Sequence, residues 1–177
     1  MTQELAPGRP NPGGYPYKIA VLCDLRDRDG RVLLIRRAQN PNLGLYSPIG
    51  GKLDMPSGES PGMCARREIR EEAGLDLPFE RLHLGGIISE HGYEGNTNWL
   101  MFWYRAIGPV EVRAGPMREG SLEWHSLEDL KRLPLPRTDR EIIWPLVLAH
   151  EGGFFAVHIE CTGTDFKSTL ERSYPAR

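Results

Sequence analysis

Residues 50–75 read GGKLDMPSGESPGMCARREIREEAGL, and this stretch decides how the chain is read. Its second half is a helix by local rules. Ser60 is a natural N-terminal cap, Pro61 suits the first turn, and Gly74 suits the position just past the last one. Ala65, Ile69 and Ala73 recur at four-residue spacing and make a narrow apolar stripe. Glu68, Glu71 and Glu72 fall in one sector beside that stripe. Crowding three carboxylates into one turn is unfavourable, each like-charged neighbour costing roughly 0.2–0.5 kcal/mol. A divalent cation reverses the sign of that cost, because clustered hard oxygens are what Mg²⁺ or Mn²⁺ takes as ligands. The same letters also describe a solvated helix face, with Arg66, Arg67 and Arg70 neutralising the acids as weak surface pairs.

Outward from the helix, element types alternate. Before it, Lys18–Leu25 and Arg31–Arg37 are strand-like and flank the turn-forming Arg26-Asp27-Arg28-Asp29-Gly30, so the pair reads as a hairpin. Gln39–Ser47 reads as a polar loop. After the helix, Leu84–Ser89 and Asn98–Ala106 read as strands. In the second, Trp99, Met101 and Trp103 alternate with Leu100, Phe102 and Tyr104, so both faces are apolar and the strand is expected to be covered on both sides. Core packing explains these aromatics better than base stacking does. Leu122–His125 is a short strand and Ser126–Arg132 a short helix capped by Ser126. Thr138–His150 is a longer helix that Pro145 should kink or split, and Phe154–Cys161 is a final strand. Helices between strands imply a sheet between helical layers.

The bulk numbers bound the function. The chain has 177 residues with 22 basic and 24 acidic side chains, a net charge of −2, enough for one sizeable core. That balance argues against a broad polybasic surface for a nucleic-acid polymer or a membrane, but not against a small anionic substrate. No stretch is long and apolar enough to span a bilayer, and Met1–Pro16 lacks the apolar run of a secretory signal. Cys23, Cys64 and Cys161 are too widely spaced for a zinc site or a disulfide framework, and reduced buried thiols in a cytoplasmic protein are the expectation. The five histidines show no ligand spacing.

Arg67-Glu68-Ile69-Arg70-Glu71-Glu72-Ala73-Gly74-Leu75, with seven residues between Glu59 and Arg67 and Gly50-Gly51-Lys52-Leu53 at the opening, resembles the Nudix box. One departure is plain: seven residues separate Gly51 from Glu59, two more than the family pattern has, and the excess falls in Asp54–Gly58. The resemblance implies an α/β fold, a Nudix-type α/β/α sandwich with a central mixed sheet. It implies a hydrolase domain over residues 17–170, with 1–16 as a flexible N-terminal arm and 171–177 as a C-terminal tail. It further implies Mg²⁺-dependent (or Mn²⁺-dependent) cleavage of a diphosphate linkage in a nucleotide derivative. Mapped residue by residue, Glu68 and Glu72 become direct metal ligands and Glu71 a further ligand or a base. The Gly50 carbonyl completes the shell, Glu59 suits an additional ion, and Arg67 holds Glu68 or Glu59 in place.

Outside the box, Glu111, Glu119 and Glu123 are candidates for a further ligand or base. Glu119, five residues before Trp124, resembles a metal-linked glutamate of the family's oxidised-purine nucleoside triphosphatases. Asp139 stands where those enzymes read the base, although Thr138 and Asp139 equally suit a helix cap and first turn. Arg37, ending the second strand, suits a substrate phosphate or plain exposure. The resemblance puts nucleoside triphosphates, including oxidised ones, ahead of ADP-ribose and dinucleoside polyphosphates. A nucleotide-sensing module without catalysis is the competing class, and a monomer or a homodimer fits either.

Overall fold

A computed structural model describes residues 14–39, 42–162 and 164–175. Nine strands form one sheet: β1 (Tyr17–Asp24), β2 (Val32–Arg37), β3 (Tyr46–Lys52), β4 (Leu82–Tyr93), β5 (Thr97–Ala106), β6 (Gly115–Met117), β7 (Gly120–His125), β8 (Phe154–Glu160) and β9 (Lys167–Tyr174). Their spatial order is β6-β7-β2-β3-β1-β5-β4-β8-β9. β1 runs parallel to β5 and β4 parallel to β8, while the other neighbours are antiparallel, so the sheet is mixed.

Helices cover both faces, as the sandwich requires. Helix α1 (Pro61–Ala73) starts where Ser60 Oγ accepts a hydrogen bond from Met63 N and ends at Gly74 in the left-handed region at φ 69°. It presses Cys64, Ala65 and Ile69 into an apolar cluster with Val21, Cys23, Leu33, Ile35 and Ile49. Each fully buried aliphatic side chain such as Ile69 contributes about 1.5–3 kcal/mol. On the opposite face a π-helical turn (Asp139–Ile143) runs into α2 (Trp144–Ala149). These bury Ile143, Trp144 and Val147 against Leu34, Met101, Trp103 and Phe155. β5 feeds both cores, with Phe102 and Tyr104 on the α1 side and Trp99, Met101 and Trp103 on the other. Trp103 meets Trp144 edge-on at 4.9 Å.

Four expectations need correction. β1 and β2 do not form a hairpin, because β3 lies between them and only an isolated Arg26–Val32 bridge joins their connection. The turn chemistry itself is present, with Asp27 accepting from the Asp29 and Arg31 amides, yet long-range pairing with β3 wins over local pairing. Residues 126–132 make a single 3₁₀ turn at Asp129–Lys131, tied by Ser126 Oγ to the Asp129 amide at 3.2 Å. The late helix is interrupted at Pro145 as expected, by a π turn just before a residue that cannot donate to the turn behind it, but its expected cap is absent. Thr138 has helical angles and makes no capping bond there. Lastly, residues 171–174, assigned above to a tail, belong to β9 and pair with β8. Of the arm assigned to residues 1–16, residues 1–13 lie outside the described residues.

The approach of β3 to β1 decides where the box opens. Gly50 pairs with Leu22, and a Cβ on it would lie 2.1 Å from the Val21 carbonyl oxygen, which is backbone and cannot turn away. Gly50→Ala is therefore expected to destabilise the fold by about 2–3 kcal/mol or more, read as a lower urea midpoint. An unchanged midpoint would contradict this register.

Candidate active site

The two-residue excess between Gly51 and Glu59 closes on itself. Glu59 N donates to the Asp54 carbonyl at 3.2 Å, Asp54 N donates to Glu59 Oε2 at 2.8 Å, and Gly58 N bonds the Met55 carbonyl at 3.1 Å. The chain leaves and rejoins the same place, so Gly50 and Gly51 keep their position against α1. Gly50 N donates to Glu72 Oε2 at 3.0 Å. At Gly51 a Cβ would stand 2.2 Å from Glu68 Oε1, so the bare glycine is the cradle in which that carboxylate sits.

Arg67 ties the acids together. Its Nε reaches Glu59 Oε1 at 2.8 Å, and Nη2 reaches Glu59 Oε2 at 3.0 Å and the Lys52 carbonyl at 3.1 Å. Its Nη1 reaches Glu68 Oε1 at 2.6 Å and Glu71 Oε2 at 3.3 Å. The bonds from Arg67 hold the Glu59 carboxyl down at about 2, and Glu59 in turn pushes the Arg67 guanidinium above its ordinary range. Burial pushes Glu68 up, against the pull of Arg67. Burial also pushes Glu72 up to about 8, with the charges of Glu68 and Glu119 adding to it and the Gly50 amide opposing it. Glu71 keeps half of its side chain exposed, with Arg67 at 3.3 Å as its partner.

Of the loop candidates, Glu119 sits in the β6–β7 turn, where its charge acts on both Glu68 and Glu72. Arg37 comes up beside it, Nη2 lying 3.4 Å from Glu119 Oε2. Glu123 turns to the other face of the sheet and accepts from Tyr46 Oη and Ser121 Oγ, each at 2.8 Å. Glu111 pairs with Arg28 on the exposed surface at 3.1 Å. Asp139 stands apart from the cluster. Burial pushes it up to about 7, and the nearest charge acting on it is Glu90.

Sequence reading passed over Glu90. It lies on β4 at 3% exposure, burial pushes it up to about 7, and its Oε1 has no hydrogen-bond partner. The one available signal was a lone acid in the otherwise apolar LGGIISE run. Tyr93 and Cys161 are the other titratable groups close to Glu90, and Thr138 faces it from the late helix. A carboxyl raised in the folded state keeps a proton that the unfolded chain has lost. The Glu90–Asp139 pair therefore weakens the fold as pH rises from the ordinary carboxyl range to about 7, and its effect levels off above that. Glu90→Gln is expected to flatten that fall by about 1–3 kcal/mol in urea melts taken from about pH 5 to pH 8. A variant profile parallel to the parent's would refute it.

The acid cluster suits a divalent cation by its donors. Glu68, Glu72 and Glu119 offer hard oxygen donors, and the charge of Glu119 helps to raise both Glu68 and Glu72, which marks a local shortage of positive charge. Among the described residues no three His, Cys, Asp or Glu side chains already converge closely enough to hold an ion. The carboxylates are instead occupied by Arg67, the Gly50 amide and Arg37. A cleft of about 780 Å³ lies elsewhere, along Arg26, His83, Arg105 and Glu151, and none of the box glutamates lines it.

A mixed-sheet α/β/α sandwich with glutamates of one helix gathered against a glycine strand end fits a hydrolase of pyrophosphate bonds. Comparison with known proteins agrees. A NUDIX domain model matches residues 16–144. The chain is 32% identical over 116 residues to the Nudix hydrolase YvcI of Bacillus subtilis (strain 168), covering 65% of this chain and 70% of that one. It is 26% identical over 124 residues to the NAD-capped RNA hydrolase NudC of Stutzerimonas stutzeri (strain A1501), covering 70% of this chain but 42% of NudC. The crystal structure of the mutator MutT protein of Bacillus halodurans superposes with a TM-score of 0.69 at 26% identity, over 87% of this chain and 97% of that one. The chain belongs to the Nudix hydrolase family. Nudix hydrolases generally use divalent metal ions and act on small nucleotide substrates. No helix among the described residues is long and apolar enough to cross a membrane.

Proposed function

We propose that this chain is a Mg²⁺-dependent nucleotide pyrophosphohydrolase whose preferred substrate is a nucleoside triphosphate, oxidised purine forms included, released as a monophosphate and pyrophosphate. The observation that carries this is the joining of Glu119, from the β6–β7 turn, to the α1 glutamates in one electrostatic cluster. Glu68 and Glu72 are the residues that would hold the ion, with Glu71 and Glu119 free to add to them and Glu59 kept in place by Arg67. A bound divalent ion supplies charge for the diphosphate oxygens and lowers the pKa of an attacking water. Glu71 or Glu119 would accept a proton from the attacking water, since both carboxylates are partly exposed and come from different elements. Arg67 fixes the direction of Glu68, and the Gly51 cradle leaves that carboxylate room. Asp139, with Glu90 behind it, takes the part of a base-edge contact at the late helix. Three buried free thiols suit a reducing compartment, and we place the protein in the cytoplasm, acting on small nucleotides.

The test is a Mg²⁺-dependent hydrolysis screen. Its arms are nucleoside triphosphates, their 8-oxo forms, ADP-ribose, dinucleoside polyphosphates and NAD-capped RNA. Turnover concentrated on triphosphates supports the proposal. Cleavage of ADP-ribose or capped RNA alone replaces the substrate, and binding without turnover in every arm makes the chain a nucleotide sensor.

A further inference from the structure

Arg37 presents an arrangement that substrate binding does not explain. It ends β2 with its side chain mostly buried, its Nε is buried without a partner, and its contact to Glu119 is long at 3.4 Å. A separation of 3.4 Å is an ion pair rather than a good hydrogen bond, so the hold on Glu119 is weak and releasable. Glu119 itself cannot leave by moving its backbone. Its carbonyl accepts from Ala38 N at 2.9 Å, and Gly120 packs so tightly that a Cβ would lie 1.9 Å from the Arg36 carbonyl oxygen. What remains free is the Glu119 side chain, 46% exposed.

The α1 carboxylates also have their own resident cation, Arg67, locked by several hydrogen bonds. Among the described residues Arg37 has one loose partner, and its charge also reaches Glu72. Both arginines thus act on the acid cluster, Arg67 through several short bonds and Arg37 through one long contact.

We infer that Arg37 is a positioning residue that keeps Glu119 in reserve as a resident counter-ion until a divalent cation at the α1 glutamates takes that carboxylate over. This rests on the reading that those glutamates hold a divalent ion. The cation and Arg37 then compete for one carboxylate, and the metal-free protein holds Glu119 close by without leaving its charge uncompensated. The exchange is a side-chain rotation at a fixed turn.

The experiment is Mn²⁺ titration of the full chain without substrate, with free Mn²⁺ read by electron paramagnetic resonance. Arg37→Gln is expected to bind Mn²⁺ roughly three- to tenfold more tightly than the parent. Glu119→Gln should bind more weakly, and in the double variant most of the Arg37→Gln gain should vanish. Arg37→Met keeps the aliphatic stem and repeats the comparison if the glutamine variant does not fold. Equal or weaker binding by the Arg37 variants overturns the inference, as does a gain that survives intact in the Glu119→Gln background. A parent that binds no Mn²⁺ overturns the metal site itself, a result distinct from either.

Discussion

Glu72→Gln is expected to lower Mg²⁺-dependent turnover by at least about a hundredfold while the fold is kept. Glutamine has the same shape, and its carbonyl oxygen can still accept the 3.0 Å bond from Gly50 N. What it removes is a charge that the fold buries at some cost and that a cation would recover. The metal-free variant should therefore be at least as stable as the parent, and it should lose most of the stabilisation that Mg²⁺ confers. Steady-state kinetics and thermal melts with and without Mg²⁺ check both halves. Normal turnover would remove Glu72 from the metal site, while a collapse in metal-free stability would show that its role is structural.

Arg67→Ala should be damaging in both respects. It strands Glu59 and Glu68, whose side chains are only 8% and 12% exposed, with no cation between them. Breaking a well-buried pair costs about 3–5 kcal/mol, and Arg67 is itself 27% exposed, so about 2–3 kcal/mol is expected here. Turnover should fall about 10- to 100-fold, the usual range for a residue that orients metal ligands. The pH dependence gives a signature. Glu59 is held down at about 2, so its contribution is fully present above the ordinary carboxyl range and is lost as pH falls toward 2. The stability gap between parent and variant should thus narrow as pH drops from about 5 to about 2, as followed by urea denaturation. A gap that stays constant with pH would mean that Arg67 acts through packing of its stem. Arg67→Lys, which keeps the charge but not the planar fork, should fall between the two.

Much of the fold around the site could be read locally. Ser60, Pro61 and Gly74 mark the ends of α1 because capping and φ preferences act within a few residues. The sector of Glu68, Glu71 and Glu72 follows from helical geometry alone. Strand pairing was less legible. The Arg26–Gly30 turn looks like a hairpin turn, yet its flanking strands are separated by β3, because pairing energy comes from residues distant in sequence. β9 was not read as a strand at all, for a similar reason. All eight of its residues are exposed, so it carries no core pattern and is defined by its hydrogen bonds to β8.

The same division runs through the acids. Glu119 and Glu123 are four residues apart and the sequence favoured Glu119 only through its offset from Trp124, whereas the register of β7 on β2 sends Glu119 to Arg37 and Glu123 to Tyr46. The Glu90–Asp139 pair brings together a strand and a helix whose sequences give no hint of each other. What the sequence by itself determined is helix α1, its caps, the arrangement of its glutamates and hence the family, because these rest on contacts within one or two turns. Only the tertiary structure decided which distant charges complete the site. Arg37 and Glu119 meet because sheet order and register set distances across the chain, and those depend on burying both faces of one sheet at once.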